Sequence, residues 1–363
     1  MTTRADLSRV LTLDPSAPTK TFVVEVHPEV GAEALLAEIA GGGNMHATDD
    51  AYLYRVDAPE ENNSFWVDQL DDRFWNFHTT MSAAAAGRYL KQHIASRHEL
   101  DWMWLPSDHL RTVWPDTPPR GVRSKFEGSQ LLGDAAAVGD VGLRLSGRNT
   151  DVFLKYLYQN PEFRSSVPFD SVQVALEDDD FGSITEAVDR MGRFAVFGDS
   201  LELHLQFVQT VVSRYRRLVT ACEDKAIEWA PLDPARDGSG GRFTGAPIVI
   251  RFSRTIPDLE QFTDALFSAR EPFRLWGVPR ISSGIAEIEA VDLHVGQPLS
   301  FDIGDQWMRI YLRKGYCGNS VARLASNLQH RFDSALSFSD PDLQATLTGI
   351  APALTALPPI SAL

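Results

Sequence analysis

The sequence predicts an α+β protein with antiparallel sheets, built from tandem β-α-β-β-β-α modules whose helices pack on one face. Two observations lead to this prediction. First, short segments with alternating apolar and polar residues precede longer segments with apolar residues three and four positions apart, the patterns of half-buried strands and amphipathic helices. Second, a hairpin-like segment with an Asp-centred turn occurs three times, and a helical pattern follows each copy.

The three turns share their layout. Each has Asp at its centre and large apolar residues on both sides, which would face each other across a hairpin. The turns are residues 71–73 between Leu70 and Phe74, residues 198–200 between Phe197 and Leu201, and residues 304–306 between Ile303 and Trp307. We therefore expect three equivalent hairpins, each followed by a helix. In element order these modules are similar to the TATA-binding-protein-like and ferredoxin-like folds, although no motif of either family is present.

Composition places the boundaries between the modules. Prolines near residue 115 end regular structure because proline fixes φ and lacks an N–H donor. Glycines near residue 240 are typical of a linker. The predicted divisions are a flexible arm at 1–19, modules at 20–114, 141–231 and 247–336, a linker loop at 115–140, a glycine-rich linker at 232–246, and an apolar C-terminal docking tail at 337–363.

Charge and cysteine content limit the class of protein. The net charge of −15 argues against binding to nucleic acid or to an anionic membrane. No apolar run has the length of a membrane span, and the N-terminus lacks the layout of a signal peptide. The only two cysteines, Cys222 and Cys317, suit a reducing compartment. These features predict a cytoplasmic, acidic protein, and the Ala-, Asp- and Arg-rich bias predicts a bacterial source.

A basic, glycine-containing loop precedes the last long helical pattern. The start of a helix presents unpaired N–H groups and a positive dipole end, so nearby cations would complete a site for a small anionic, phosphate-containing ligand. The predicted ligand-binding residues are Arg313, Lys314, Gly315, Gly318, Asn319, Ser320 and Arg323. Arg323 is expected on an exposed helix face, and Cys317 is expected to have a lowered pKa. In the structural alternative, the glycines only permit the turn and the cations line a solvated face.

A second group of polar residues lies in the first module. Asn76 and His78 are two apart on a predicted strand and therefore point from the same face, with Asp68 or Asp72 nearby. Asp72, Asn76 and His78 form a possible acid–base cluster. No Cys/His spacing resembles a zinc site, and no known catalytic motif is present. No metal and no cofactor are therefore predicted.

Three functions remain open from the sequence. The first is a non-enzymatic interaction or scaffold protein, because modules repeat and no catalytic set is found. It would bind a protein partner or itself through the C-terminal tail or the aromatic strands of the first module. Those aromatic residues are Phe65, Trp66, Phe74, Trp75, Phe77, Trp102 and Trp104. The alternatives are a sensor or binding protein for the small anionic ligand, and an enzyme of unrecognised type that uses His78 and nearby carboxylates.

Overall fold

The α+β class with antiparallel sheets is confirmed. A computed structural model describes residues 3–11, 18–27, 31–41, 44–58, 63–114, 117–132, 140–231 and 241–348. Within these residues the strands form sheets of eleven, seven and two strands. Every ladder between the strands of the two large sheets is antiparallel.

The first eleven strands of the chain form one sheet. They are β1 (Lys20–Val26), β2 (Met45–Ala47), β3 (Leu53–Ala58), β4 (Asn63–Asp68), β5 (Phe74–Thr79), β6 (Leu100–Trp102), β7 (Gly121–Glu127), β8 (Asp140–Ser146), β9 (Ser171–Asp178), β10 (Gly182–Asp189) and β11 (Arg193–Gly198). Their order is β2-β3-β4-β5-β1-β11-β10-β9-β7-β8, with β6 also paired to β1. The strand β1 is therefore central to the sheet, which explains why all seven of its residues are buried.

The remaining strands follow in chain order. They are β12 (Glu228–Pro231) and β13 (Gly241–Thr244), which pair with each other, and then β14 (Ile248–Arg251), β15 (Leu275–Gly277), β16 (Arg280–Ser282), β17 (Ile285–Asp292), β18 (Gln297–Ile303), β19 (Trp307–Tyr311) and β20 (Ser337–Phe338). The last seven form the second large sheet, in the order β15-β17-β18-β19-β14-β20, with β16 also paired to β17.

Helices connect and cover these strands. They are α1 (Leu7–Val10), α2 (Ala32–Ala40), α3 (Ala83–Ala95), α4 (Ser107–Arg111), α5 (Ser129–Leu132), α6 (Thr150–Gln159), α7 (Pro161–Arg164), α8 (Leu201–Glu223), α9 (Leu259–Leu266), α10 (Asn319–Arg331) and α11 (Pro341–Thr348). The helix α10 is buried from its first residue to His330. Its Arg323 pairs with Asp101 of β6 and with Asp292 of β17, so α10 lies where the two large sheets meet.

The first and third Asp-centred turns form hairpins, as predicted. The turn at residues 71–73 joins β4 to β5, and the turn at residues 304–306 joins β18 to β19. A helix follows each hairpin, α3 after the first and α10 after the third. The two segments therefore share one local topology.

The second predicted hairpin is wrong. The strand β11 ends at Gly198, and residues 199 and 200 join it directly to the 23-residue helix α8, so Leu201 begins a helix instead of a strand. The hydroxyl of Ser200 accepts a hydrogen bond from the N–H of Leu203, as an N-cap does. Buried positions continue through Phe207, Val208 and Val211 with helical spacing. The apolar–polar alternation at residues 201–205 is too short to distinguish the two-residue period of a strand from the 3.6-residue period of a helix. The N-cap at Ser200 favours the helix.

The large sheet crosses the predicted division between the first two modules. The strand β1 of the first segment pairs with β11 of the second, with Lys20 opposite Ala195. The predicted linker loop at 115–140 contains β7 and α5, and β7 pairs with both β8 and β9. This part of the linker prediction is wrong because Val122, Ser124 and Phe126 alternate inward, the pattern of a half-buried strand. Residues 232–240 of the glycine-rich linker lie outside the described residues.

Both ends of the described chain are packed against the protein. Residues 3–11 of the arm predicted as flexible are largely helical, and Leu7 and Leu11 are buried beside Leu201. In the C-terminal tail, β20 pairs with β14, and α11 buries Leu343 and Leu347. Residues 349–363 of the tail lie outside the described residues.

The aromatic strands of the first module belong to the core. Six of the seven aromatic residues singled out in the sequence are at most 7% exposed, and Trp66 is partly buried. They therefore do not form the exposed binding surface that we expected. The reason is that β5 and β6 pair directly with the central strand β1, and β4 pairs with β5.

Candidate functional site

The helix α10 does not present the predicted anion site to solvent. Arg323, expected on an exposed face, is only 3% exposed. Its guanidinium donates to Oδ2 of Asp101 at 2.7 Å and to Oδ2 of Asp292. Two carboxylates therefore neutralise this cation, and it is not available to a phosphate group.

Asn319 and Ser320 serve the same buried network. The side-chain amide of Asn319 donates to Oδ2 of Asp101 at 3.2 Å, and the hydroxyl of Ser320 donates to Oδ2 of Asp292 at 2.6 Å. Burial would raise the pKa of Asp292, but Arg323 and Ser320 outweigh that effect and lower it. These residues fix α10 between the sheets.

The rest of the predicted anion loop lies apart from Arg323. Arg313, Lys314 and Gly315 are exposed. The ammonium of Lys314 lies 3.9 Å from a carboxylate oxygen of Glu228. The residues predicted from sequence to converge on one ligand therefore divide into a buried group and an exposed group.

The predicted acid–base cluster is not assembled either. Asp72, with its side chain 88% exposed, pairs with Arg216, whereas His78 is completely buried. Asn76 is also buried on β5, and within the described residues no hydrogen bond or ion pair joins Asn76 or His78 to Asp72. Burial is the main reason that the pKa of His78 is lowered to about 4.

His78 instead takes part in an internal hydrogen-bond chain. The hydroxyl of Thr21 lies 2.8 Å from Nδ1 of His78 and 2.7 Å from Nε2 of His204. The other ring nitrogen of His204 lies 2.7 Å from a carboxylate oxygen of Glu186. All four side chains are buried, so this chain links β1, β5, β10 and α8 inside the protein.

The structure brings together a different set of side chains. Glu25 and His27 are two residues apart at the end of β1 and therefore project from the same face of the sheet. Cys317 reaches them from the loop between β19 and α10, where its backbone N–H donates to Oε1 of Gln297 at 2.9 Å. The two halves of the set come from opposite ends of the chain.

Three potential metal-ligand atoms meet at this point. Nε2 of His27 lies 3.3 Å from Oε1 of Glu25 and 3.5 Å from Sγ of Cys317. Sγ lies 3.6 Å from both oxygens of Glu25. Zinc bonds of about 2.3 Å to sulfur and about 2.0–2.2 Å to nitrogen or oxygen, at a tetrahedral angle, separate their donor atoms by about 3.3–3.6 Å. The triangle of donor atoms thus has the dimensions of one face of a tetrahedral zinc site.

Two further charged residues hold this set in place. Nε of Arg73 donates to Oε1 of Glu25 at 2.6 Å, and its two terminal nitrogens lie 3.1 and 2.7 Å from the carboxylate of Glu223. Glu223 also accepts the N–H of Gly318 at 2.9 Å. Arg73 therefore orients Glu25, while Glu223 ties the end of α8 to the start of α10.

The pKa values of Glu25 and Cys317 follow from this environment. Burial would raise the pKa of Glu25, but hydrogen bonding to His27 and the charge of Arg73 outweigh it and lower that pKa. Burial, with the nearby charge of Glu25, raises the pKa of the Cys317 thiol well above its usual range. The expectation of a lowered pKa for Cys317 is therefore wrong, because neither the burial of the thiol nor the carboxylate beside it was visible in the sequence.

A cavity of about 520 Å³ opens beside these side chains. His27, Arg73 and Cys317 line it, whereas Glu25 lies behind them and is 1% exposed. The side chain of His27 is 43% exposed. A species held between the three donor atoms would therefore face the cavity on its open side.

This site could not be predicted from the sequence. The only local signal is the spacing of Glu25 and His27 on one strand face, and a single such pair is common in proteins. Cys317 is 290 residues from His27 along the chain. A sequence motif can reveal only ligands at a short, regular spacing, and these ligands come together only because the two sheets meet.

No helix among the described residues is long and apolar enough to cross a membrane.

Comparison with known proteins identifies the family of the chain. Residues 14–346 match the family model described as MJECL33-like protein. The chain is also similar to a protein of Methanocaldococcus jannaschii named "Uncharacterized protein MJECL33". The identity is 25% over an alignment of 358 residues, gaps included, and the aligned part makes up 87% of this chain and 84% of the relative. This relative is archaeal, which overturns the bacterial source predicted from composition. The family model spans most of the sequence, and the protein therefore belongs to the MJECL33-like family.

Proposed function

We propose that this protein is a metal-dependent hydrolytic enzyme that holds a zinc-class divalent cation with Glu25, His27 and Cys317. The observation that carries the proposal is the spacing of the three donor atoms. Their separations of 3.3, 3.5 and 3.6 Å are those expected around one tetrahedral ion. A nitrogen, a thiolate sulfur and one carboxylate are a donor set for zinc or cobalt, whereas magnesium and calcium prefer oxygen alone.

The charges around the set also favour a cation. Glu25 and Glu223 share the single guanidinium of Arg73, which leaves one uncompensated negative charge among these partly or wholly buried groups. A divalent cation together with ionised Cys317 would bring the total to neutrality. Buried charges are costly unless they are compensated, so this balance stabilises the metal-bound form.

A cysteine nucleophile fits the geometry less well. In such an enzyme, the histidine contacts the thiol with one ring nitrogen and an orienting acid with the other. Here both Cys317 and Glu25 approach the same nitrogen, Nε2 of His27. Glu25 therefore cannot orient His27 as a base for Cys317. The donor atoms around a shared metal ion each lie close to the other two, which is the arrangement of Nε2, Sγ and Oε1 here.

The open side of the set supports catalysis over a purely structural role. Structural zinc sites have four protein ligands, whereas catalytic sites have three and leave one position open. When bound, the cation would supply an activated water molecule for hydrolysis. Arg73 would keep the carboxylate of Glu25 in orientation, and Gln297 would hold the Cys317 backbone, which are the supporting contacts that metal ligands need.

A cytoplasmic location is part of the same proposal. Cys222 and Cys317 are both free and buried. A thiolate ligand needs a reducing compartment, because oxidation would remove it from the site. A scaffold role and a protein partner remain predictions from the sequence.

The test is a titration of chelator-treated protein with Co²⁺, followed by absorption spectroscopy. Coordination by Cys317 should produce a thiolate-to-cobalt charge-transfer band, and tetrahedral geometry should give intense visible bands. Cys317→Ser should lose the charge-transfer band and His27→Ala should weaken Co²⁺ binding. Cys222→Ala is the matched control, because Cys222 is the other cysteine of the chain, and it should keep the wild-type spectrum. A wild-type protein without a charge-transfer band would overturn the proposal.

A further inference from the structure

We infer that the cavity beside Cys317 selects substrates with a cationic group, such as an ammonium, near the bond to be cleaved. This inference rests on the proposed metal-dependent function and adds the substrate class. It follows from which charges in the cavity wall are free to meet a ligand and which are already neutralised.

Arg73 is the most buried cation in the wall, and each of its three nitrogens already donates to a carboxylate. Its Nε bonds Glu25, and its terminal nitrogens bond Glu223. A second feature that would favour an anion is the N-terminal end of α10. That end is also occupied, because the N–H of Gly318 donates to Glu223. The protein itself thus supplies the anion for both positive features.

The free charges in the wall are mainly negative. Glu99 and Asp224 line the cavity, and among the described residues neither carboxylate has a hydrogen-bonding or ion-pairing partner. Lys314 also lines the cavity, but its side chain is 68% exposed and lies 3.9 Å from Glu228. The cavity wall therefore has two free carboxylates and only one ammonium, which is largely solvated and already lies near Glu228.

The direction of α8 makes the electrostatic potential in the cavity more negative. Thr220, Glu223 and Asp224 at its C-terminal end line the cavity, so the negative end of the helix dipole is directed there. The helix dipole and the free carboxylates therefore both make the cavity more negative. An ammonium group would gain attraction from both, whereas a phosphate or carboxylate would be repelled.

The test uses three hydroxamates of equal chain length as ligands of Co²⁺-loaded protein. Aminohexanoic hydroxamate is cationic, hexanoic hydroxamate is neutral, and adipic monohydroxamate is anionic. Each binds the metal through the same group, so the change in the visible cobalt spectrum gives comparable Kd values. We expect the cationic probe to bind about three- to tenfold more tightly than the neutral one, as two unit charges about 6–12 Å away in water would produce, and the anionic probe to bind least.

Charge-removing variants assign the effect to the cavity. Glu99→Gln with Asp224→Asn should bring the Kd values of the cationic and neutral probes together. Glu202→Gln with Asp258→Asn is the control, because it removes the same charge at exposed carboxylates outside the cavity wall, and it should leave the ratio unchanged. Equal Kd values for the three probes on the wild type, or a preference for the anionic probe, would overturn the inference. Either result would leave the proposed metal site intact, whereas absence of the cobalt–thiolate band would remove the metal site itself.

Discussion

Sγ of Cys317 lies 3.5 Å from Nε2 of His27, although 290 residues separate the two along the chain. His27 follows the central strand of the first sheet, and Cys317 follows the last hairpin of the second sheet. A metal ion that bonds to both would join the two sheets near their meeting point. Because the ion would bind only the folded protein, the free energy of unfolding should increase when metal binds.

We therefore expect zinc to raise the Tm of chelator-treated protein. At a free zinc concentration 100 times the Kd, binding to the folded state alone contributes about 2.7 kcal/mol. Differential scanning fluorimetry with and without zinc measures the shift. Cys317→Ser should lose most of it and Cys222→Ala should retain it. An equal shift in both variants would place the stabilising ion elsewhere in the protein.

Arg323 should be essential for folding stability and not for ligand binding. Arg323→Met removes the guanidinium that neutralises the buried carboxylates of Asp101 and Asp292. Removal of one partner from a buried ion pair costs about 3–5 kcal/mol, and urea denaturation should show a loss of that size. The control is Arg313→Ala, at an exposed position, which should change the free energy of unfolding by less than about 0.5 kcal/mol. Similar losses in the two variants would contradict the assignment.

His109 should make the protein less stable in mild acid. Burial, with Arg214 nearby, lowers the pKa of His109 to about 3, and its Nε2 hydrogen bonds to the carbonyl of Thr346. The unfolded chain, with a pKa of about 6.5, binds a proton first as the pH falls. The contribution of His109 is therefore complete above about pH 6.5 and is lost progressively below it.

The measurement compares metal-free wild type with His109→Gln, whose amide can donate to the same carbonyl. Between pH 7 and pH 4.5 the wild type should lose roughly 2–3 kcal/mol more than the variant, since each unit below the unfolded pKa costs about 1.4 kcal/mol. Parallel pH profiles for the two proteins would show that His109 does not titrate on unfolding.

The C-terminal helix α11 should contribute to the stability of the whole protein. Leu347 is 0% exposed, and α11 packs against α8 and α4. Leu347→Ala should lower the free energy of unfolding by about 2–5 kcal/mol, the usual cost of a cavity at a buried leucine. Asp342→Asn, at an exposed position of the same helix, is the control. If both variants melt like the wild type, α11 is not part of the cooperative structure.

The sequence by itself determined the class of the fold and the elements with strong local signals. The hairpin between Ile303 and Trp307 and the start of α10 near Asn319 could be predicted because alternation, turn residues and helical spacing lie within a few residues of each other. The prediction of a strand after Ser200 was wrong, because five residues are too few to distinguish strand periodicity from helix periodicity. Only the cap at Ser200 and the burial of α8 distinguish helix from strand there.

The tertiary structure alone decided the site. Whether Arg323 meets solvent or two carboxylates depends on the packing of α10 between the sheets, and local periodicity does not contain that information. The same holds for Cys317, which lies beside Glu25 only because β1 and the loop before α10 meet. Donor atoms form a site when they converge within a few ångströms, and for residues 25, 27 and 317 that convergence is a property of long-range packing, not of spacing along the chain.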